Sequence, residues 1–197
     1  MRFASLGSGS EGNGLVVEAG KTRLLLDCGF GVADTEARLA RIGLAPQDLD
    51  AIVVTHEHAD HVGGVARLAR RYELPVYLTY GTLMAMSEGR SAITQLTVID
   101  SHTPFAIGDI EVRPYPVPHD AREPAQYVFG DGQSTLGVLT DAGAPTTHIL
   151  NMLSGLDALV LECNHDAELL RRSGYPQSLK QRIAGRLGHL DNASAAQ

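Results

Sequence analysis

Short apolar runs separated by polar and glycine-rich turns dominate the first half of the chain. Their length and β-branched content are typical of strands, whereas two longer segments carry apolar residues at helical spacing. The predicted strands cover residues 1–6, 15–19, 22–27, 51–55 and 76–79, with a glycine-rich turn over 7–14. Helices are predicted over 35–42, capped by Asp34, and over 65–72.

The second half contains mostly strand-like runs. Predicted strands cover residues 96–99, 105–107, 110–117, 127–129, 134–140 and 156–163, and a hairpin is predicted around 130–132. Helices are predicted over 179–184 and from residue 192 onward. The strands fall into two groups, which predicts an α/β fold of two facing mixed sheets with helices outside. Residues 1–197 have the length of a single domain.

Composition excludes several classes of protein. An apolar fraction of 44% is enough for a sizeable core. No stretch approaches the roughly 18 consecutive apolar residues of a membrane helix, and nothing at the N-terminus resembles a signal peptide. Cys28 and Cys163 are too few for a disulfide framework, and both border apolar segments. We therefore expect reduced core thiols in a cytoplasmic protein without a membrane partner.

The net charge of −7 argues against a protein that coats nucleic acid, but the charge is unevenly spread. A basic run between residues 171 and 186 contains no acidic residue; its members are Arg171, Arg172, Lys180, Arg182 and Arg186. The run could hold phosphates near a site, or it could be an ordinary solvated basic helix. The sequence leaves both interpretations open.

The six residues from His56 to His61 place three imidazoles and a carboxylate directly after the predicted strand at 51–55. The carboxyl ends of strands are where α/β sheets present their sites. His56 and His58, two apart in extended chain, point the same way and can share one ion. Asp60 and His61 lie past the bend and can reach a second. A solvated histidine-rich loop is a poor alternative explanation, so we predict a metal site.

Two further candidate ligands each stand directly after another predicted strand, as His56 does. They are His119 and Asp141. His56, His58 and His119 would make a three-imidazole site, a type that leaves a position open for water on zinc. Asp141 is the carboxylate that could bridge two ions. The ordinary alternatives for His119 and Asp141 are a turn residue and a strand-end cap.

Together these motifs resemble the metallo-β-lactamase superfamily. The matching segments are Thr55–Gly64 (Thr-His-Glu-His-Ala-Asp-His-Val-Gly-Gly), His119, Thr140–Gly143, Leu6–Asn13 and Leu25–Gly29. More narrowly, the YycJ/WalJ-like branch is similar at Glu162–Asp166, Tyr175–Pro176, Leu179–Arg182 and Gly188–Leu190. Members of that branch are described as metal-dependent exonucleases acting on double-stranded DNA. The resemblance runs from Met1 to about Asn192 and implies an αββα sandwich.

The chain departs from the family pattern at two places. Asp191 stands where the family has a serine after Gly-His-Leu. Superfamily members also continue through another helix and strand to a histidine that completes the second metal site, whereas this chain stops at Gln197. The resemblance therefore implies a domain without its C-terminal elements, whose second site depends on His189 or water. An inactive metal-binding fragment is the corresponding alternative.

Residues around the predicted ligands are further candidates. By resemblance, Asp27 would support the ligand loop through hydrogen bonds. Ser8 and Asn13, in the glycine-rich segment, could line the cleft or simply form a tight β-turn. His165 lies just past a predicted strand and could also face the cleft.

The resemblance also implies a catalytic set. Related nucleases of this fold place a Gly-His histidine near the leaving group and orient it with a glutamate on a preceding strand. His189 and Glu162 occupy similar places here, which makes His189 a candidate proton donor or phosphate contact. Asp60 joins them as a ligand of the reacting centre.

The sequence thus predicts a metal-dependent hydrolase, most specifically a phosphodiesterase or nuclease acting on DNA. Two divalent ions roughly 4 Å apart would hold a bridging hydroxide that attacks phosphorus in line. Zinc suits the nitrogen and oxygen ligands, and manganese is the alternative. A hydrolase of small esters, lactones or thioesters on the same site is the competing hypothesis.

Overall fold

The computed structural model describes residues 1–86 and 89–197. Its strands are β1 (Arg2–Gly7), β2 (Gly14–Ala19), β3 (Thr22–Leu26), β4 (Ala51–Val53), β5 (Val76–Thr79), β6 (Leu96–Ile99), β7 (Phe105–Ile107), β8 (Ile110–Pro116), β9 (Ala125–Gly130), β10 (Thr135–Leu139) and β11 (Ala158–Leu161). Its helices are α1 (Val32–Arg41), α2 (Ala59–Val62), α3 (Val65–Tyr72), α4 (Tyr80–Ala85), α5 (Thr147–Leu153), α6 (Ala167–Arg172), α7 (Gln177–Ile183) and α8 (Asn192–Ala195).

The strands form two mixed sheets. In the first sheet the order is β1-β2-β3-β4-β5-β6, antiparallel from β1 to β3 and parallel from β3 to β6. In the second sheet the order is β11-β10-β9-β8-β7, antiparallel except for the parallel pair β10–β11. The carboxyl ends of β3, β4 and β10 lead into Asp27, the segment His56–His61 and Asp141, respectively.

Three apolar layers show how the sheets and helices stack. Leu24 and Val53 of the first sheet pack with Tyr127 and Val138 of the second in one buried cluster, so the sheets face each other. A second cluster joins the outer face of the first sheet to α1 and α3, and a third joins the outer face of the second sheet to α5. The predicted sandwich of two sheets between helices is confirmed.

Short helices account for most differences from the predicted elements. The helix predicted over 65–72 is α3, whereas α1 begins at Val32, and its N-cap is Gly31. Asp34 therefore lies inside the first turn and pairs with Arg38, so its predicted capping role is wrong. Segments of four to seven residues carry little periodicity, and of the helices this short only α7 and α8 were predicted; α2, α4, α5 and α6 were not. No helix in residues 1–86 or 89–197 is long and apolar enough to span a bilayer.

The two cysteines lie in different environments. Both are free thiols, and Cys28 is buried as predicted. Cys163 is exposed and lines a cavity, so its assignment to the core is wrong. The predicted strand continued to Cys163, whereas β11 ends at Leu161 and Cys163 lies in the segment that follows it.

Asp191 has a clear structural role. Its Oδ1 accepts hydrogen bonds from the backbone N–H groups of Ala193 and Ser194, at 2.9 and 3.0 Å, and so caps α8. Serine and aspartate are both preferred N-cap residues. The departure from the family pattern at this position therefore preserves the local structure.

Candidate metal centre

The ligand loop leaves β4 and is held by backbone contacts from two neighbouring segments. Cys28 N donates to the carbonyl of His61 at 2.8 Å, and Asn13 N donates to the carbonyl of Asp60 at 2.8 Å. A Cβ at Gly29 would collide with that same carbonyl oxygen. The glycine in the Asp-Cys-Gly motif is thus required for the close approach of β3 to the ligand loop.

Three imidazoles converge at the end of the loop, and we call His56, His58 and His119 the imidazole cluster. His58 Nδ1 lies 3.0 Å from His56 Nε2 and 3.3 Å from His119 Nε2. Two nitrogen ligands of a tetrahedral zinc ion, each at 2.0–2.1 Å, are about 3.3 Å apart. The donor set and its spacing therefore fit one shared divalent ion.

In each ring of the imidazole cluster, the nitrogen that faces away from the other two rings (the outer nitrogen) contacts a neutral hydrogen-bond acceptor, and the outer nitrogen of His58 also lies 3.8 Å from Asp120 Oδ1. His56 Nδ1 contacts the Thr55 hydroxyl at 2.9 Å, His58 Nε2 contacts the carbonyl of Asp120 at 3.2 Å, and His119 Nδ1 contacts the carbonyl of Gly188 at 3.0 Å. Donation from each outer nitrogen fixes the tautomer and leaves the inner lone pair for a ligand.

A second set of ligand atoms lies beside the first, and we call Asp60, His61 and Asp141 the carboxylate cluster. His61 Nε2 is 3.2 Å from Asp141 Oδ2 and 3.5 Å from Asp60 Oδ2. The rings of His56 and His61 have centroids 4.1 Å apart, so the two clusters are adjacent. This arrangement can accommodate a second ion next to the first.

Asp27 anchors the carboxylate cluster from behind. Its carboxylate accepts from Thr55 N, from the Thr55 hydroxyl and from His61 Nδ1, each at 2.8 Å. Asp27 is buried and adopts a left-handed conformation with φ of 59°, which aspartate tolerates better than most residues. Its predicted supporting contacts with the ligand loop are present.

Burial and neighbouring charge set the protonation of the two clusters in opposite directions. Burial lowers the pKa of His56 far below its ordinary value, and the charged neighbouring His61 adds to the effect. Burial also lowers the pKa of His119. For His61, burial opposes the charged form, but the carboxylate of Asp27, with Asp141 and Asp60, outweighs it and raises the pKa to about 9.

Glu162 and His189 form the pair that the resemblance implied. His189 Nδ1 is 2.5 Å from Glu162 Oε1 and 3.4 Å from Asp141 Oδ1. The other oxygen of Glu162 accepts from Ala142 N at 2.9 Å and Leu190 N at 3.3 Å. The hydrogen bond to Glu162 raises the pKa of His189. These contacts fix the ring of His189 at the edge of the carboxylate cluster.

A cavity of about 480 Å³ opens beside these residues. Its walls include Ser8 and Asn13 from the glycine-rich segment, with Asp60, Asp141 and His189 on the other side. Asn13 is also a structural partner, since its Nδ2 lies 3.1 Å from both Asp60 Oδ2 and His61 Nε2. His165 does not line this cavity; it lines a separate hollow between α6 and α7.

The basic run divides into two parts. Arg171 and Arg172 both pair with Glu168, just outside the run, and the Lys180 ammonium donates to the carbonyl of Arg171. Arg182 instead pairs with Asp120, next to the imidazole cluster. Arg171, Arg172 and Lys180 therefore fit the interpretation as an ordinary solvated basic helix. Arg182 lies close to the site and fits the interpretation as a phosphate-binding residue.

Sequence reasoning assigned no role to Thr55 or Asp120, and it named Arg182 only as one member of the basic run. Thr55 is buried between Asp27, His56 and His61, and its position directly before His56 was the available signal. Asp120 likewise follows His119 directly in the sequence. Arg182 lies in the segment Leu179–Arg182 that resembles the YycJ/WalJ-like branch, but that segment did not indicate its contact with Asp120.

The αββα fold and the converging histidine and aspartate ligands define a metal-dependent hydrolase. Residues 22–197 match the family described as the beta-lactamase superfamily domain. The chain belongs to the metallo-β-lactamase superfamily, whose fold implies binding of divalent metal ions.

Two relatives match the chain over its whole length. The exodeoxyribonuclease YycJ of Bacillus anthracis is 39% identical over 198 residues, covering 100% of this chain and 75% of that protein. The exodeoxyribonuclease WalJ of Streptococcus pneumoniae serotype 2 (strain D39) is 36% identical over 200 residues, which cover 100% of this chain and 74% of that protein. The resemblance to the YycJ/WalJ-like branch is confirmed.

A solved structure supports the fold independently. The short form of human tRNase Z superimposes with a TM-score of 0.71 at 16% identity, covering 98% of this chain and 86% of that one. At this identity the similarity establishes the shared fold alone.

Proposed function

We propose that this protein is a metal-dependent exonuclease that acts on DNA through a centre of two divalent ions. The observation that carries the proposal is the adjacency of two ligand clusters whose inner atoms converge. The substrate class follows from full-length relatives that are named exodeoxyribonucleases. A DNA substrate is consistent with the cytoplasmic location predicted from sequence, which stays a prediction.

The imidazole cluster would hold one ion, and the carboxylate cluster would hold the other. Asp141 faces both His61 and His189, a position that suits a bridging carboxylate. All-nitrogen ligation at the first site favours zinc, while the two carboxylates at the second leave manganese as the alternative. Asp27 and Thr55 would keep His61 and His56 oriented toward the ions.

Divalent ions at this place supply a water nucleophile of lowered pKa and neutralise charge that develops on phosphate oxygens. The residues of the chain contribute orientation and proton transfer. His189, with its pKa raised by the hydrogen bond to Glu162, is protonated over a wider pH range and can donate from Nε2 to the departing oxygen. Glu162 keeps the ring from rotating and stabilises its charged form.

The proposal is tested by comparing duplex DNA with small ester, lactone and thioester substrates, using protein loaded with zinc or manganese. We expect release of nucleotides from DNA ends, with apparent affinity that falls steeply as salt rises. A His189→Ala variant should lose about 10²-fold or more in rate, since general acid catalysis contributes on that scale. Hydrolysis of neutral small substrates without salt dependence, and no action on DNA, would overturn the proposal.

A further inference from the structure

A cation lies at the rim of the metal centre, outside the two ligand clusters. Arg182 on α7 is 57% exposed, and its Nε donates to Asp120 Oδ2 at 2.6 Å. The other oxygen of that carboxylate is 3.5 Å from His119 Nε2, an inner nitrogen of the imidazole cluster. A single carboxylate therefore separates the guanidinium from the first metal position.

The contact with Asp120 uses only part of the guanidinium. Arginine offers five N–H donors in a planar fork, and Asp120 accepts from Nε. Among the hydrogen bonds of residues 1–86 and 89–197, Arg182 donates from Nε only, and its two terminal amino groups have no hydrogen-bond acceptor. These groups have the geometry that binds a phosphate through two parallel hydrogen bonds.

The backbone that carries Arg182 is tied to the metal centre. Asp120 N donates to the carbonyl of Leu187 at 2.9 Å, and His189 N donates to the carbonyl of Ile183 at 2.9 Å. A Cβ at Gly188 would collide with the carbonyl oxygen of Arg182, so the chain turns back tightly onto the end of α7. The segment that fixes His119 and His189 thus also fixes the base of Arg182.

Arg171, in the same basic run, provides a contrast. Arg171 donates from Nε and Nη2 to both oxygens of Glu168, each at 2.7 Å. Its fork is therefore already occupied by a carboxylate on its own helix. Arg182 differs because Asp120 accepts a hydrogen bond from Nε only, and because Asp120 itself lies beside the imidazole cluster.

We propose that Arg182 binds a backbone phosphate of the nucleic acid beside the metal centre, while Asp120 holds the guanidinium in the receiving orientation. This inference rests on the proposed nuclease function and assigns a phosphate-binding group to that site. Lysine at this position would preserve the charge but could not bind Asp120 and a phosphate through a planar fork. Arg182 thereby becomes a substrate-binding residue, and Asp120 a positioning residue.

The test measures binding of a short duplex DNA with hydrolysis-resistant phosphorothioate linkages at its ends to the metal-loaded protein, over a range of salt concentrations. Arg182→Ala should weaken binding about tenfold and reduce the slope of log affinity against log salt by about 1, the value for one phosphate contact. Arg182→Lys should retain most of the slope but lose affinity. Arg171→Ala is the matched control and should behave as wild type.

Metal content of each variant separates a phosphate contact from damage to the metal centre. We expect Arg182→Ala to bind as many ions per chain as wild type. An unchanged salt slope in Arg182→Ala, or a loss equal to that of Arg171→Ala, would overturn the inference while leaving the nuclease proposal intact. Absence of DNA binding and cleavage by the wild-type protein would instead overturn the proposed function itself.

Discussion

The imidazole cluster and the carboxylate cluster lie side by side but differ in what holds their outer ring nitrogens. Neutral acceptors, namely the Thr55 hydroxyl and two backbone carbonyls, bind the three rings of the first. A carboxylate, Asp27, binds the ring of His61 in the second. In the imidazole cluster the partners are neutral, so burial favours the uncharged imidazole. In the carboxylate cluster the charge of Asp27 favours the imidazolium form of His61.

This difference has a consequence for metal loading. His56 and His119 have lowered pKa values, so at pH 7 both rings are neutral and can bind a metal ion without losing a proton. His61, with a pKa of about 9, must release a proton before its Nε2 can bind an ion. The same Asp27 that orients His61 therefore makes occupation of the second position more dependent on pH than occupation of the first.

The largest expected effect comes from breaking the first cluster. His58→Ala should remove the ion bound there and lower hydrolysis by at least about 10³-fold, because His58 Nδ1 is the nitrogen that both other rings approach. Elemental mass spectrometry and a nuclease assay would measure both losses. The exposed His102 offers the control, as His102→Ala should change neither. A full complement of metal in His58→Ala would contradict the ligand assignment.

Removing the carboxylate behind His61 should distinguish the two clusters. Asp27→Asn should lower affinity for the second ion by about 10- to 100-fold, the usual effect of losing a partner of a metal-binding histidine, and leave the first ion bound. Stepwise metal titration would resolve the two events. Asp34→Asn, which alters a carboxylate on the surface of α1, is the matched control. Equal weakening of both ions would argue against the separation of the clusters.

Asn13 should have a smaller effect on the same cluster. Its carboxamide contacts Asp60 and His61, while its backbone bonds to Asp60 and Gly29 persist in any alanine variant. Asn13→Ala should therefore fold normally and lose about fivefold in affinity for the second ion, about the contribution of one hydrogen bond. Ser10→Ala, in the same wall of the cavity, is the control. Tighter binding in Asn13→Ala would mean that the amide occupies the place of the ion.

The smallest expected effect is on the stability of the metal-free protein. The folded pKa of His61 is above its ordinary 6.5, so its contribution to stability is complete below pH 6.5 and is lost as pH rises through 9. The pKa of His56 is lowered, so its contribution to stability changes with pH in the opposite direction: it is present above pH 6.5 and is lost as pH falls.

Thermal unfolding in chelator between pH 6.5 and 9.5 would show the alkaline part of this behaviour. We expect the melting temperature of the wild type to fall by a few degrees more than that of Asp27→Asn, which lacks the charge that raises the pKa of His61. Parallel curves for the two proteins would show that Asp27 does not control this titration.

The residues of the site that could be predicted from sequence are those that lie together in one short segment or at the ends of strands. The segment that contains His56, His58, Asp60 and His61 begins three residues after the end of the buried strand β4, and parallel strands present their carboxyl ends at one edge. His119 and Asp141 obey the same rule at β8 and β10, although each alone had ordinary explanations. Period and position were sufficient to predict the two sheets and the convergence of these candidate ligands, whose binding of metal stays a prediction.

The remaining features depend on tertiary contacts that no local pattern records. The Arg182–Asp120 pair joins residues 62 apart, and no spacing pattern in the sequence predicts that contact. His165 illustrates the reverse case: it lies just past β11, but a bridge to Asp191 directs the segment toward α8. The predicted cap at Asp34 was wrong because Gly31 begins the helix earlier in the sequence.

Whether two ions bind in adjacent clusters can be seen by anomalous X-ray scattering from crystals grown with zinc. We expect two peaks roughly 4 Å apart, one among the inner nitrogens of His56, His58 and His119 and one among Asp60, His61 and Asp141. A single peak within the group formed by Asp141, Glu162 and His189, with the imidazole cluster empty, would contradict this expectation.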